Sequence, residues 1–444
     1  MHIFETVIGL LVVAALLSVV AKKYGIPYPS LLAFGGICVS LLPIHGMQEL
    51  SLSPDLILTL FVSPVLLDAA HETSLRDLKK NWRPISSLVI FAVVLTTIAV
   101  AYVVRHLIPD MPWSVAIVLG ALLAPPDSVA AMAVLDQVNP PHHVRTVLEG
   151  ESLLNNASSL LIYKMAIAAV AAGSFNASDT LPAFFLVAIG SVVVGWGLAQ
   201  IAKYQIPIVK DTSIAVIVQF PTAFIVWILA EYLGLSSVVT VVVFGLTISR
   251  HSTLSMPAPI RVSSFMIWTS AIFILNALSF TFIGLQMRPV FAGLEHAKCL
   301  DLVGQALVIL GVVIAVRLVW VMVYTLMAKS CWSKINPDKQ SLLTTKVGLV
   351  VAWSGMRGVV SLAAAMALPV NFPHRDFILL SAFVVVVGTL LVQGPTLGPL
   401  LKLLRLPKDK TLDIEIKLAR EAALKAAING LRESKTSAAK RLVL

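Results

Sequence analysis

Charged side chains are scarce in this sequence. Only 13% of its 444 residues are Asp, Glu, Lys or Arg, against about 25% in a soluble globular domain. Together with 58% hydrophobic residues, that shortage excludes a disordered chain and an ordinary soluble enzyme. Cysteine is scarcer still. Cys38, Cys299 and Cys331 lie far apart and form no CxxC spacing, so neither a disulfide framework nor a zinc site is indicated, and they read as small apolar fillers. Hydrolase signatures are missing too. There is no HExxH, and His71, His106, His142, His143 and His374 all fall in loops, which argues against an intramembrane enzyme. No basic segment and no small-residue cleavage site mark the first apolar run, so it reads as a retained span.

Long apolar runs are what the sequence has in place of charge. They fall at about 3–21, 28–45, 52–70, 84–104, 113–135, 147–173, 180–202, 212–230, 233–249, 262–287, 302–327, 342–368 and 376–401. A helix needs about 20 apolar residues to cross a bilayer. The expectation is an all-α polytopic membrane protein of about thirteen transmembrane helices. Six spans, a linker span and six more would suit an inverted repeat.

The formal net charge of +10 would suggest nucleic acid in a soluble protein; here it follows the loops, and no nucleic-acid partner is expected. Alternate loops hold Lys22, Lys23, Arg76, Lys79, Lys80, Arg83, Arg145, Lys203, Lys210, Arg250, Arg261, Lys329, Lys334 and Lys339. The other loops hold only Arg105, Arg288, Lys298 and Arg375. The positive-inside rule then predicts an outside N-terminus and a cytoplasmic C-terminus. Residues 1–405 read as a transmembrane domain and 406–444 as a cytoplasmic amphipathic tail. Four cations remain within spans: Lys164, Arg317, Lys346 and Arg357. Lys164, Arg317 and Lys346 fit either a pathway role or an interfacial one.

Ionisable groups inside a bilayer are costly and mark function by default. Asp68 lies near the end of the third span, either capping it or facing an aqueous funnel. The fifth span contains Ala124-Pro125-Pro126-Asp127-Ser128. Consecutive prolines break a helix, and broken backbone at that depth must face protein or water. Carbonyls freed there can meet a cation, and Asp127 sits where a new helix start favours a carboxylate. The sixth span contains Glu149-Gly150-Glu151-Ser152-Leu153-Leu154-Asn155-Asn156. Glu151 and Asn155 share one face, Ser152 and Asn156 the next; such oxygen density suits a hard cation or interhelical hydrogen bonding. In the twelfth span Arg357 lies within Gly355-Met356-Arg357-Gly358 and needs a buried partner.

These three segments, in this order, resemble the monovalent cation/proton antiporter family of the NhaP and NHE type, on its bacterial Na+/H+ antiporter branch. The resemblance implies the NhaA-like antiporter fold, with inverted repeats and two crossed discontinuous helices. It also implies a homodimer in a bacterial inner membrane and electroneutral alternating-access exchange of Na+ or Li+ for H+, with no cofactor. Residue by residue, it places Na+ among Asp68, Pro126, Asp127, Ser152, Asn155 and Asn156, and makes Glu151 and Arg357 a structural ion bridge.

Two departures stand out. Pro126 replaces a threonine often found there. Asn156 occupies the position of the family's ion-binding aspartate. An amide has an oxygen but no titrating proton, so it imitates a permanently protonated acid and exchange is expected to be weak or absent. An engineered Asp→Asn variant, a natural paralogue coupled through Asp127 or Asp68, and a natural member with lost or altered activity all remain open. A regulatory homologue and an uncoupled cation channel are the remaining alternatives.

Overall fold

The computed structural model describes residues 2–42, 54–136, 140–171, 177–205, 212–255, 258–292, 299–332, 344–405 and 411–442. The described residues are helical and contain no strand. The first half holds α1 (His2–Tyr24), α2 (Tyr28–Leu41), α3 (Pro54–Ile57), α4 (Ser63–Glu72), α5 (Leu75–Lys80), α6 (Trp82–Ser86), α7 (Val93–Leu107), α8 (Trp113–Leu123), α9 (Ser128–Leu135) and α10 (His142–Ala171). The second holds α11 (Ala177–Gln205), α12 (Thr212–Tyr232), α13 (Ser237–Ser255), α14 (Ala258–Leu285), α15 (Met287–Ala292), α16 (Cys299–Trp332), α17 (Thr345–Trp353), α18 (Val359–Met366), α19 (Arg375–Leu404) and α20 (Thr411–Leu442). Two π-helical stretches, Leu58–Val62 and Ser87–Ala92, join α3 to α4 and α6 to α7.

Eight of the described helices are long and apolar enough to cross a membrane. Of the remaining predicted stretches, α2, α12 and α13 carry shorter apolar helices. The other two fall on α3–α4 and α17–α18, which are interrupted. Lipid-facing surface is written on the outer helices: Val19 on α1 is 67% exposed and Leu186 on α11 is 71% exposed, side chains that water would not tolerate in such number.

The helices pack as two bundles. One joins α1, α2 and α14, with α4, α12 and α13 and with α11 against α13. The other joins α7, α8 and α10 to α16, α17 and α19, with α18 against α19. In lipid there is little hydrophobic drive between helices, so close backbone approach must hold them. Gly36 on α2 and Gly284 on α14 supply it: a methyl on either would collide with a carbonyl oxygen of the other helix, Thr281 or Ala33. The bundles touch each other where α19 meets α2 and α10 meets α13.

Both predicted breaks are present. α8 stops at Leu123 and α9 starts at Ser128, across the two prolines that cannot donate a helical hydrogen bond. α17 stops at Trp353 and α18 starts after Gly358. The breaks meet. The Asp127 N–H donates to the Met356 carbonyl at 2.6 Å. A methyl on Gly358 would collide with Asp127 Oδ2, so only glycine allows this approach. α20 stands apart from both bundles: its described side chains, 414–432, are exposed, and Glu415 meets Arg76 at 3.5 Å.

Candidate functional site

A cavity of about 250 Å³ lies between the bundles. One wall is Pro126, Asp127, Ser152, Asn156 and Ser361, from the bundle with the breaks; the other includes Asp68 on α4 and Asn276 on α14. Five of the six residues expected around the ion therefore share one cavity. Asn155 does not line it. Its amide Nδ2 donates instead to Glu151 Oε1 at 3.2 Å, because residues four apart on α10 stack on the face turned away from the opening.

Local hydrogen bonds set each group. Asp127 is the N-cap of α9, and Oδ1 accepts the Val129 N–H at 2.9 Å. Ser152 on α10 staples the break: its hydroxyl accepts from the Ser128 N–H at 3.2 Å and donates to the Pro126 carbonyl at 3.2 Å. The outer part of the cavity carries Glu72, Asp136, Arg145 and Glu149. There Arg145 donates to Glu149 at 2.7 Å and to Asp136 at 3.2 Å.

The expected Glu151–Arg357 bridge is replaced by another pair. Glu151 is fully buried and is gripped by both terminal guanidinium nitrogens of Arg317, Nη1 and Nη2, at 2.5 and 2.8 Å. Arg317 also donates to the Ala352 and Val351 carbonyls at the end of α17, at 3.2 and 3.1 Å. A methyl on Gly355 would collide with the Arg317 side chain. Arg357 turns to main chain: it donates to the Leu123 carbonyl at 3.0 Å and to the Gly355 carbonyl. Its own N–H donates to Thr389 Oγ1 at 3.0 Å. The physical reason is common to both arginines. The C-terminal ends of α8 and α17 are left open inside the protein, where their carbonyls carry partial negative charge. Each arginine occupies one such end, and α16 brings Arg317 nearer to Glu151.

Of the other cations within spans, Lys164 and Lys346 are exposed and lie outside the cavity. Tyr163, beside Lys164, donates to the Ala364 carbonyl of α18 at 2.8 Å. Sequence reasoning left Arg317 without a partner and overlooked Asn276, Ser361 and Arg145. Arg317 had a signal, a cation in an otherwise apolar run; the others had none apart from the fold.

Four ionisable groups flank the crossing, and Asp68 faces it from the other wall of the cavity. Asp127 and Glu151 contribute two carboxylates, Arg317 and Arg357 two guanidiniums, and Asn156 is neutral.

Comparison with known proteins identifies the family and the fold. The profile of the family described as "Sodium/hydrogen exchanger, transmembrane" matches residues 9–403. The chain is 32% identical over 454 residues to a sodium, potassium, lithium and rubidium/H(+) antiporter of Bacillus pumilus, covering 98% of this chain and 66% of that protein. It therefore spans just under two thirds of that relative's length. It is 28% identical to the low-affinity Na(+)/H(+) antiporter NhaS1 of Synechocystis, covering 92% of this chain and 76% of that protein. Its fold matches the sodium proton antiporter MjNhaP1 of Methanocaldococcus jannaschii with a TM-score of 0.69 at 20% identity, over 91% of this chain and all of that one.

Proposed function

The chain belongs to the transmembrane sodium/hydrogen exchanger family, and from that premise we propose that it is a monovalent cation/proton carrier whose coupling position is neutralised. The cavity between the bundles is the ion pathway. Asp127, Asn156, Ser152 and Asp68 are its ligands, and the hard oxygen set suits Na+ or Li+. The relatives of broader printed range make K+ and Rb+ worth testing beside them.

In the intact mechanism a carboxylate at position 156 holds one Na+ or one H+, never both. Either cargo neutralises that carboxylate, and the bundle that carries the breaks then moves past the other and releases the cargo opposite. One group shared by two cargoes gives one-for-one, electroneutral exchange without ATP. Asn156 supports the reading that this chain rests in the neutral, cargo-loaded condition with no cargo bound. An amide on the cavity wall at position 156, where the family's coupling carboxylate is expected, is the observation that carries the proposal. Net exchange is then weak or absent.

Asp127 supports a second reading. It is the remaining carboxylate at the crossing on the cavity wall, and coupling through it would leave exchange intact despite Asn156. Proton flux driven by Na+ or Li+ in everted vesicles separates the two. The first reading expects little flux from the chain as it stands and recovered flux from Asn156→Asp. Full flux from the unmodified chain, lost in Asp127→Asn, would replace it with the second.

We also propose a homodimer in a bacterial inner membrane, with the N-terminus outside and the C-terminus inside. The crowded basic loops support that orientation. On it, the cavity containing Arg145 and Glu149 opens to the cytoplasm, and residues 406–444 form a cytoplasmic tail. Thirteen crossings would account for both termini.

A further inference from the structure

A second cavity, of about 740 Å³, lies on the other side of the start of α10. Its floor and walls are apolar: Leu88, Val144, Val147, Val321, Met327, Val347 and Val351 among them. Its rim is basic. Lys79, Lys80 and Arg83 border it, and no Asp or Glu is among its described lining residues. The exchange pathway has the opposite character, with Asp68, Glu72, Asp127, Asp136 and Glu149 on its walls. The same helix therefore separates a cation path from a site of reversed charge.

The position of the rim matters as much as its charge. Lys79 and Lys80 end α5, Trp82 begins α6, His143 lies in the first turn of α10, and Thr344 precedes α17. These helix ends mark the level where the apolar spans meet headgroups. Trp82 is 57% exposed there, with the Arg83 guanidinium over its ring, an arrangement suited to the interface. Below that level the cavity is lined by aliphatic side chains and Tyr324. The required occupant has an anionic head and an apolar tail.

We propose that this cavity binds an anionic phospholipid, its phosphate against Lys79, Lys80 and Arg83 and an acyl chain along α16 and α17. Basic pockets between membrane helices are suited to such heads. A free phosphate would satisfy the rim and leave the apolar volume unfilled. A zwitterionic lipid would fill the volume and bring a positive group to a positive rim. The bound chain would touch α17 beside Val351, whose carbonyl accepts from Arg317. The lipid would thus brace the half-helix on which the Glu151–Arg317 pair rests.

The test uses the whole chain in phosphatidylcholine nanodiscs titrated with phosphatidylglycerol, read by melting temperature. Phosphatidylglycerol should raise it saturably. The Lys79→Gln/Lys80→Gln/Arg83→Gln variant should bind on the order of a hundredfold more weakly, since each cation near the surface contributes about fivefold. A Lys22→Gln/Lys23→Gln variant should respond like the parent. An equal response in the triple variant would overturn the proposal. So would an equal effect of inorganic phosphate, or of more phosphatidylcholine. Should the triple variant fail to fold, a photoactivatable phosphatidylglycerol on the parent protein decides. Crosslinks at Tyr324, Met327 or Val347 support the site; crosslinks confined to other helices reject it.

Discussion

Arg317 and Glu151 are a buried ion pair, 3% and 0% exposed, with the arginine's remaining hydrogen bonds spent on helix-end carbonyls. Removing one partner of such a pair leaves an uncompensated charge and costs about 3–5 kcal/mol, whereas removing both costs much less. Arg317→Met and Glu151→Leu should each lower the melting temperature in detergent sharply, and the double variant should lie closer to the parent than either. Additive losses would show that the two side chains do not act as a pair. At position 156 the expected change is in pH response. In Asn156→Asp, acidification should weaken apparent Na+ affinity, because protons then compete for the carboxylate that binds the ion; measuring affinity across pH checks this. The identity of these residues was legible in the sequence, since a charge in an apolar run stands out. The choice between Arg317 and Arg357 as the partner of Glu151 was not. It depends on how α16 and α17 lie against α10, and no spacing along the chain records that.

The two broken helices hold each other through matched ends. Asp127 meets the start of α9, while Arg357 and Arg317 meet the ends of α8 and α17, so every charge faces the opposite helix pole. Gly358→Ala should push Asp127 out of register. Introduced beside Asn156→Asp, it should abolish recovered flux while circular dichroism still reports the parental helix content. Thr389→Val removes the acceptor for the Arg357 N–H and should destabilise by about 1–3 kcal/mol, again read by melting temperature. The breaks were legible because proline and flanking glycines punctuate the sequence physically. The π-helical stretches Leu58–Val62 and Ser87–Ala92 were not, since a single residue of extra winding leaves no distinct hydropathy pattern.

For the whole molecule, the two-bundle arrangement accounts for a cavity that neither bundle encloses alone, and it suits the proposed movement of one bundle against the other. Hydropathy located the helices well because each span must satisfy its own backbone in lipid. It did not reveal which helices share a bundle, which depends on contacts such as Gly36 with Gly284. Orientation has its own test. In a cysteine-free background, a cysteine at Lys80 should react with a membrane-impermeant maleimide in everted vesicles and not in right-side-out cells. A cysteine at Arg105 should do the reverse.

The proposed function makes this chain an antiporter core without a titrating group at its coupling position. The most direct measurement is Na+-dependent proton flux in everted vesicles for the parent and for Asn156→Asp side by side. Little or no flux is expected from the parent and clear flux from the variant. Strong flux from the parent, or none from a folded Asn156→Asp protein, would contradict it.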